Sequence, residues 1–183
     1  MLNDVDNIVW PCEFACTLIT ENLVLPNYYT IRVSVEPNNP KVSDINLGFK
    51  KIKFFITNYL HNAILINQEN PMIDILPSLD TNLVVLPVEP FDFFLVNILY
   101  LKLTAITEKY FDISYIAIES SVGDNAQYIA TLGNDVELDL DGNFWWNQDS
   151  VNTGTSDTTS WEELNFKDSP KFSPTVIQGG LSG

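Results

Sequence analysis

An α+β domain is the fold this sequence predicts, on three observations. Several short segments alternate apolar and polar residues with period two. Two longer segments repeat their apolar residues at helical spacing. The two kinds are interleaved along the chain. The expected form is an antiparallel or mixed sheet of about six to seven strands with two helices on one face, followed by an extended C-terminal tail. At 183 residues the chain accommodates a single domain over residues 1–142 and a tail over 143–183. A domain of that size buries enough surface to fold without disulfide or metal.

The first elements are a pair of strands, expected over 14–25 and 28–36. In YYTIRVSVE, Tyr29, Ile31, Val33 and Val35 alternate with Thr30, Arg32, Ser34 and Glu36, the pattern of a half-buried strand. Pro37 and Pro40 then bracket two asparagines and end it. A helix is predicted from Asp44 or Gly48 to Leu60, because Phe49, Ile52, Ile56, Tyr59, Leu60 and Ala63 recur at 3.6-residue spacing. Lys50, Lys51 and Lys53 are placed on its outer face.

Short strands at 63–67 and 82–86 flank a proline-bearing connection. Pro90, a favourable first helical residue, then opens a helix expected over 90–108. From Phe91 to Ile106 twelve of sixteen residues are apolar, so this helix should be covered on more than one side. One side is assigned to the sheet and the other to a neighbouring subunit. A membrane span is not expected: Asp92, Asn97 and Lys102 interrupt the run, and it falls short of the roughly 20 apolar residues a bilayer needs. FDISYIAIE and QYIATLG read as a second hairpin, and DVELDLDG as a last strand with Val136, Leu138 and Leu140 on one face.

Charge narrows the functional classes. The formal net charge is −15, with a single arginine, Arg32, and eight lysines. Phosphate-contacting DNA and RNA binders work through lysine and arginine, so no nucleic-acid partner is expected. An anionic membrane would also repel the chain, whereas a basic protein surface would attract it. No secretory signal is read in MLNDVDNIVW. The expected location is the cytoplasm, or a virion: an asparagine-rich, arginine-poor composition suggests an AT-rich genome, and an acidic compact protein of this kind suits a bacteriophage.

Catalytic and cofactor signatures are sparse. His61 is the single histidine, and nothing pairs it with Cys12, Cys16 or a serine. There is no G-x-S-x-G and no glycine-rich phosphate loop. Cys12 and Cys16 supply at most half a zinc site and read as structural thiols. Glu137, Asp139, Asp141 and Gly142 imitate the start of a calcium loop, but Gln148 stands where a bidentate glutamate is required. No enzyme activity, cofactor or metal is therefore expected. A carboxylate pair brought together by folding is the one catalytic arrangement the residues leave open.

The tail carries the remaining signal. Residues 134–168 hold nine acids and one lysine, with Trp145, Trp146 and Trp161 set among them. Tryptophan is enriched at interaction hot spots. Trp145, Trp146, Trp161, Phe166 and Phe172, with Ile177 beyond them, are therefore the expected partner-binding residues of a docking arm. Plugging of the parent domain and stacking on a sugar are the other two uses weighed. The expected function is that of a non-catalytic structural or assembly protein, working with a protein partner or as a homo-oligomer. The alternative is an acidic inhibitor that mimics DNA on the basic surface of a nucleic-acid enzyme.

Overall fold

In the computed structural model, which describes residues 8–36, 42–124, 126–133, 142, 144–155 and 159–164, the alternating segments form six strands of one mixed sheet. The strands are β1 (Ile8–Ile19), β2 (Val24–Glu36), β3 (Ala63–Asn67), β4 (Leu83–Leu86), β5 (Asp112–Ser120) and β6 (Gln127–Thr131). The helices are α1 (Val42–Phe55) and α2 (Asp92–Thr107). The fold is α+β, as the periodicities require. The spatial order is β4-β3-β1-β2-β5-β6. β1, β2, β5 and β6 pair antiparallel, while β3 joins β1, and β4 joins β3, in parallel.

Alternation decides what each face buries. On β2, Tyr29, Ile31, Val33 and Val35 are buried, and on β1 Phe14, Cys16 and Leu18 face the same way. Ile52 and Phe55 of α1, and Leu95, Ile98, Leu99 and Leu103 of α2, complete one core with them. Both helices thus cover the same sheet face. A second, smaller core forms on the opposite face at the parallel end. There Ile19, Ile66 and Leu83 meet Leu76 from the connection between β3 and β4. The remainder of that opposite face mixes polar residues with half-exposed Val9, Tyr28 and Ile129. Arg32 bridges β2 to β5 by pairing with Glu119 at 3.0 Å, and the Tyr28 hydroxyl donates to the Glu13 carboxylate.

α1 does not end at Phe55 but widens into a single turn, Ile56–Leu60, closed when the His61 amide donates to the Ile56 carbonyl. Asn62 then takes a positive φ of 62°, which asparagine tolerates better than most residues. The lysine run on α1 is divided. Lys51 is buried, contrary to its expected place on the outer face, because a carboxylate and two aromatic rings meet it there. The strand expected over DVELDLDG lies outside the described residues. Among the described residues no helix is long and apolar enough to cross a membrane.

The second cover of α2 comes from the same chain. A short turn at Trp145–Asn147 packs on α2 from the side away from the sheet, where a neighbouring subunit was expected. Most apolar residues of α2 are therefore covered within one chain, while Phe93 in its first turn stays 48% exposed. Leu95 and Ile98 are fully buried, while Phe94 and Leu101 are half-buried.

Candidate functional site

The expected partner-binding tryptophans lie inside the domain. Trp145, Trp146 and Trp161 belong to the main core and are 6%, 3% and 8% exposed. Their rings are consequently not presented to a partner. Phe166, Phe172 and Ile177 lie outside the described residues. The segment 144–155 also binds through its backbone, because β4 is a sheet edge with unpaired polar groups. The Val85 amide donates to the Thr153 carbonyl at 2.8 Å, the Trp145 indole N–H donates to the Val85 carbonyl at 2.8 Å, and the Thr153 hydroxyl donates to the Leu83 carbonyl at 2.8 Å. Gly154, at φ 89°, lets the chain press in: a Cβ there would stand 2.9 Å from the Val85 Cβ. What the sequence presents as a separate arm is, over these residues, part of the domain.

Lysines hold it there. The Lys102 ammonium, wholly buried on α2, donates to the carbonyls of Trp145 and Gln148 at 2.9 and 3.1 Å. Asp149 accepts from Lys51 at 2.9 Å and from Lys109 at 3.2 Å, and Lys51 sits 4.8 Å from the centre of the Trp161 ring. Burial pushes the Lys102 pKa down to about 7, with the Asp149 carboxylate pulling it back upward. Burial pushes the thiols of Cys12 and Cys16 the other way, up to about 12, reinforced by Glu13 and Asp92 respectively. Burial, then the Asp92 carboxylate, raises Tyr29 as well.

These shifts set a pH profile for stability. Between about pH 7 and its ordinary value of 10.5, Lys102 is protonated in the unfolded chain but not in the folded one, so stability rises with pH across that window. The thiols bind more protons folded than unfolded above their ordinary value of 9.0, so stability falls with pH from there. Denaturant unfolding is expected to show a rise of about 2 kcal/mol from pH 7 to 9 and a downturn beyond. Lys102→Met should remove the rise and leave the downturn. A rise that survives the substitution would show that another group titrates.

The exposed feature that spacing does not reveal is a cleft at the other end of α2. Three separate segments wall it: the β1–β2 turn with Glu21, Leu23 and Leu25, the start of α2 with Glu89 to Phe93, and the β5–β6 turn with Val122 and Gly123, joined by Tyr128 of β6. Its volume is 510 Å³. Leu23, Phe91, Phe93 and Val122 are between 48% and 56% exposed, a cluster of large apolar side chains on an otherwise acidic protein. Scattered exposed hydrophobes are ordinary, whereas these four converge on one cleft.

Glu21, Glu89 and Asp92 bring carboxylates to its lining, beside Thr20 and Asn22. Asp92 accepts from the Tyr29 hydroxyl at 2.7 Å through Oδ1. Its Oδ2 faces Gly123, where a Cβ would come within 2.9 Å of it and 3.1 Å of Ser120 Oγ. Glu89 accepts from Asn67 at 3.3 Å through Oε1, while its Oε2 and Ser120 Oγ are buried without a hydrogen-bond partner among the described residues.

Cys16 lies buried beside Asp92 with its thiol held protonated, so it is no nucleophile near neutral pH. His61 Nδ1 accepts from the Ala15 amide at 3.3 Å. Among the described residues no three His, Cys, Asp or Glu side chains gather into a metal site; Glu137, Asp139 and Asp141 lie outside them.

Fold and cleft together describe an acidic α+β protein with an exposed apolar cleft whose lining includes Glu21, Glu89 and Asp92. No family model matches the chain, and none of the curated proteins matches it. Among solved structures it is similar to one described as "Crystal structure of uncharacterized protein WS1659 from Wolinella succinogenes", at 11% identity and a TM-score of 0.48 over 69% of this chain and 98% of that one.

Proposed function

We propose that this chain is a non-catalytic assembly protein that associates with copies of itself, and that the contact is made at the cleft walled by Leu23, Phe91, Phe93 and Val122. The observation supporting this is the convergence of those four half-exposed side chains over the carboxylates of Glu89 and Asp92. Apolar side chains supply the area that drives association, and the carboxylates select a basic counterpart. A surface of net charge −15 resists indiscriminate self-association, so an assembly contact has to be local and charge-matched.

The test is the molar mass by light scattering as a function of concentration. The wild-type chain is expected to form a species larger than one chain, and Phe93→Asp to return it to a monomer with its melting temperature kept. A wild-type chain that stays monomeric at every concentration, or an assembly that Phe93→Asp leaves unchanged, would overturn the proposal.

A further inference from the structure

We infer that the occupant of the cleft is the segment Lys167–Ile177 of a second copy, with Lys171 reaching the carboxylates and Phe172 the apolar wall. This rests on the cleft being the assembly contact.

Charge identifies the segment. Of the nine cationic residues, Arg32, Lys51, Lys102 and Lys109 are held by partners in their own chain. Lys171 stands next to Phe172, in a stretch from Ser169 to Gly183 that holds none of the chain's 24 acids. A cation joined to an aromatic ring is what the cleft's lining is matched to: Glu21, Glu89 and Asp92 bring carboxylates to it, and Leu23, Phe91 and Phe93 offer apolar surface. Pro170 and Pro174 flank the pair and restrict the free chain, which lowers the entropy given up on docking. An extended peptide laid in a groove, with pockets for particular side chains, is an established mode of recognition.

Length decides between the same copy and another. Trp161 packs on Phe54 and near Lys51, which lies 5.3 Å from the centre of the Tyr110 ring just past the C-terminal end of α2. The cleft is at the N-terminal end of that 16-residue helix, about 24 Å away along its axis. From Leu164, which packs on the core, seven residues reach Lys171 and span at most roughly 25 Å when fully extended. A path over the surface of the same copy leaves no slack. A second copy has no such restriction, and reciprocal exchange of segments would close a two-fold dimer.

The experiment compares the full-length wild-type chain with Lys171→Glu, Phe172→Ala and Phe93→Asp by light scattering, each variant first shown by thermal melting to be folded. Either tail substitution is expected to raise the dissociation constant roughly tenfold or more, as loss of a hot-spot side chain does. Pairing Lys171→Glu with Glu21→Lys, an exposed residue of the cleft rim, is expected to recover part of the loss. If Phe93→Asp dissociates the assembly while both tail substitutions leave it intact, the cleft contact stands and its occupant is another surface, such as the Lys50 and Lys53 face of α1; that overturns this inference alone. Association that none of the three variants weakens, or a monomeric wild type, overturns both.

Discussion

Trp145→Ala is expected to cost about 3–5 kcal/mol of folding stability, the range for truncating a buried tryptophan. For a domain whose whole stability is about 5–15 kcal/mol, that is a large share. Three losses coincide at this site. The indole leaves a cavity between α2 and β4, where it is 6% exposed. Its N–H no longer reaches the Val85 carbonyl at 2.8 Å, which leaves an edge-strand acceptor buried without that donor. The face of its ring, 5.5 Å from the Lys102 ammonium, also disappears from beside a buried charge. Denaturant unfolding of the variant measures the sum, and light scattering should show its association unchanged wherever it remains folded. A loss below about 1 kcal/mol would mean that residues 144–155 lie outside the folding unit. The docking-arm expectation would then be restored, since an arm that rests on another chain can be altered with little effect on its own domain.

Much of the fold is legible in the residues because it rests on local period. The alternation of Tyr29 to Val35 and the apolar run of α2 each name an element and its buried face without reference to anything distant. The parallel half of the sheet is less legible. β3 and β4 are only five and four residues long, and their pairing with β1 depends on connections whose path no local pattern encodes. The packing of the tail's tryptophans is hidden in the sequence for a related reason. Acids between tryptophans describe a solvated arm until their acceptors and cations are known, and those lie far off in the chain: Val85 for Trp145, and Lys51 for Asp149.

Lys102 falls within a run of apolar residues that can only be buried, and a buried ammonium requires oxygen partners from elsewhere. The acid- and carbonyl-rich segment after Asn143 was the available supplier. The cleft offered no comparable clue. Its walls come from residues 20–25, 89–93 and 122–128, and no spacing links segments so far apart. Exposed Leu23, Phe91 and Val122 read in sequence as ordinary turn and helix-start residues.

Ile98→Ala is expected to cost roughly 2–5 kcal/mol, and the same helix supplies its control. Ile98 is fully buried midway along α2, in the core that β5, β6 and α1 share. Close packing on every side of it prevents the neighbours from collapsing into the space that truncation opens, so the cavity term adds to the lost transfer free energy. Ile98→Val, which removes one methylene, should cost only about 0.5–1.5 kcal/mol and place the two variants on one trend. Phe93, five residues earlier and 48% exposed in the cleft, should behave oppositely. Phe93→Asp is expected to stay within about 0.5 kcal/mol of wild type, as surface substitutions do, while abolishing association. The pair separates the two jobs of α2, one residue holding the domain together and the other facing a partner. A stability loss for Ile98→Ala below about 1 kcal/mol would place α2 at the surface. A loss for Phe93→Asp as large as that for Ile98→Ala would place the cleft wall inside the core.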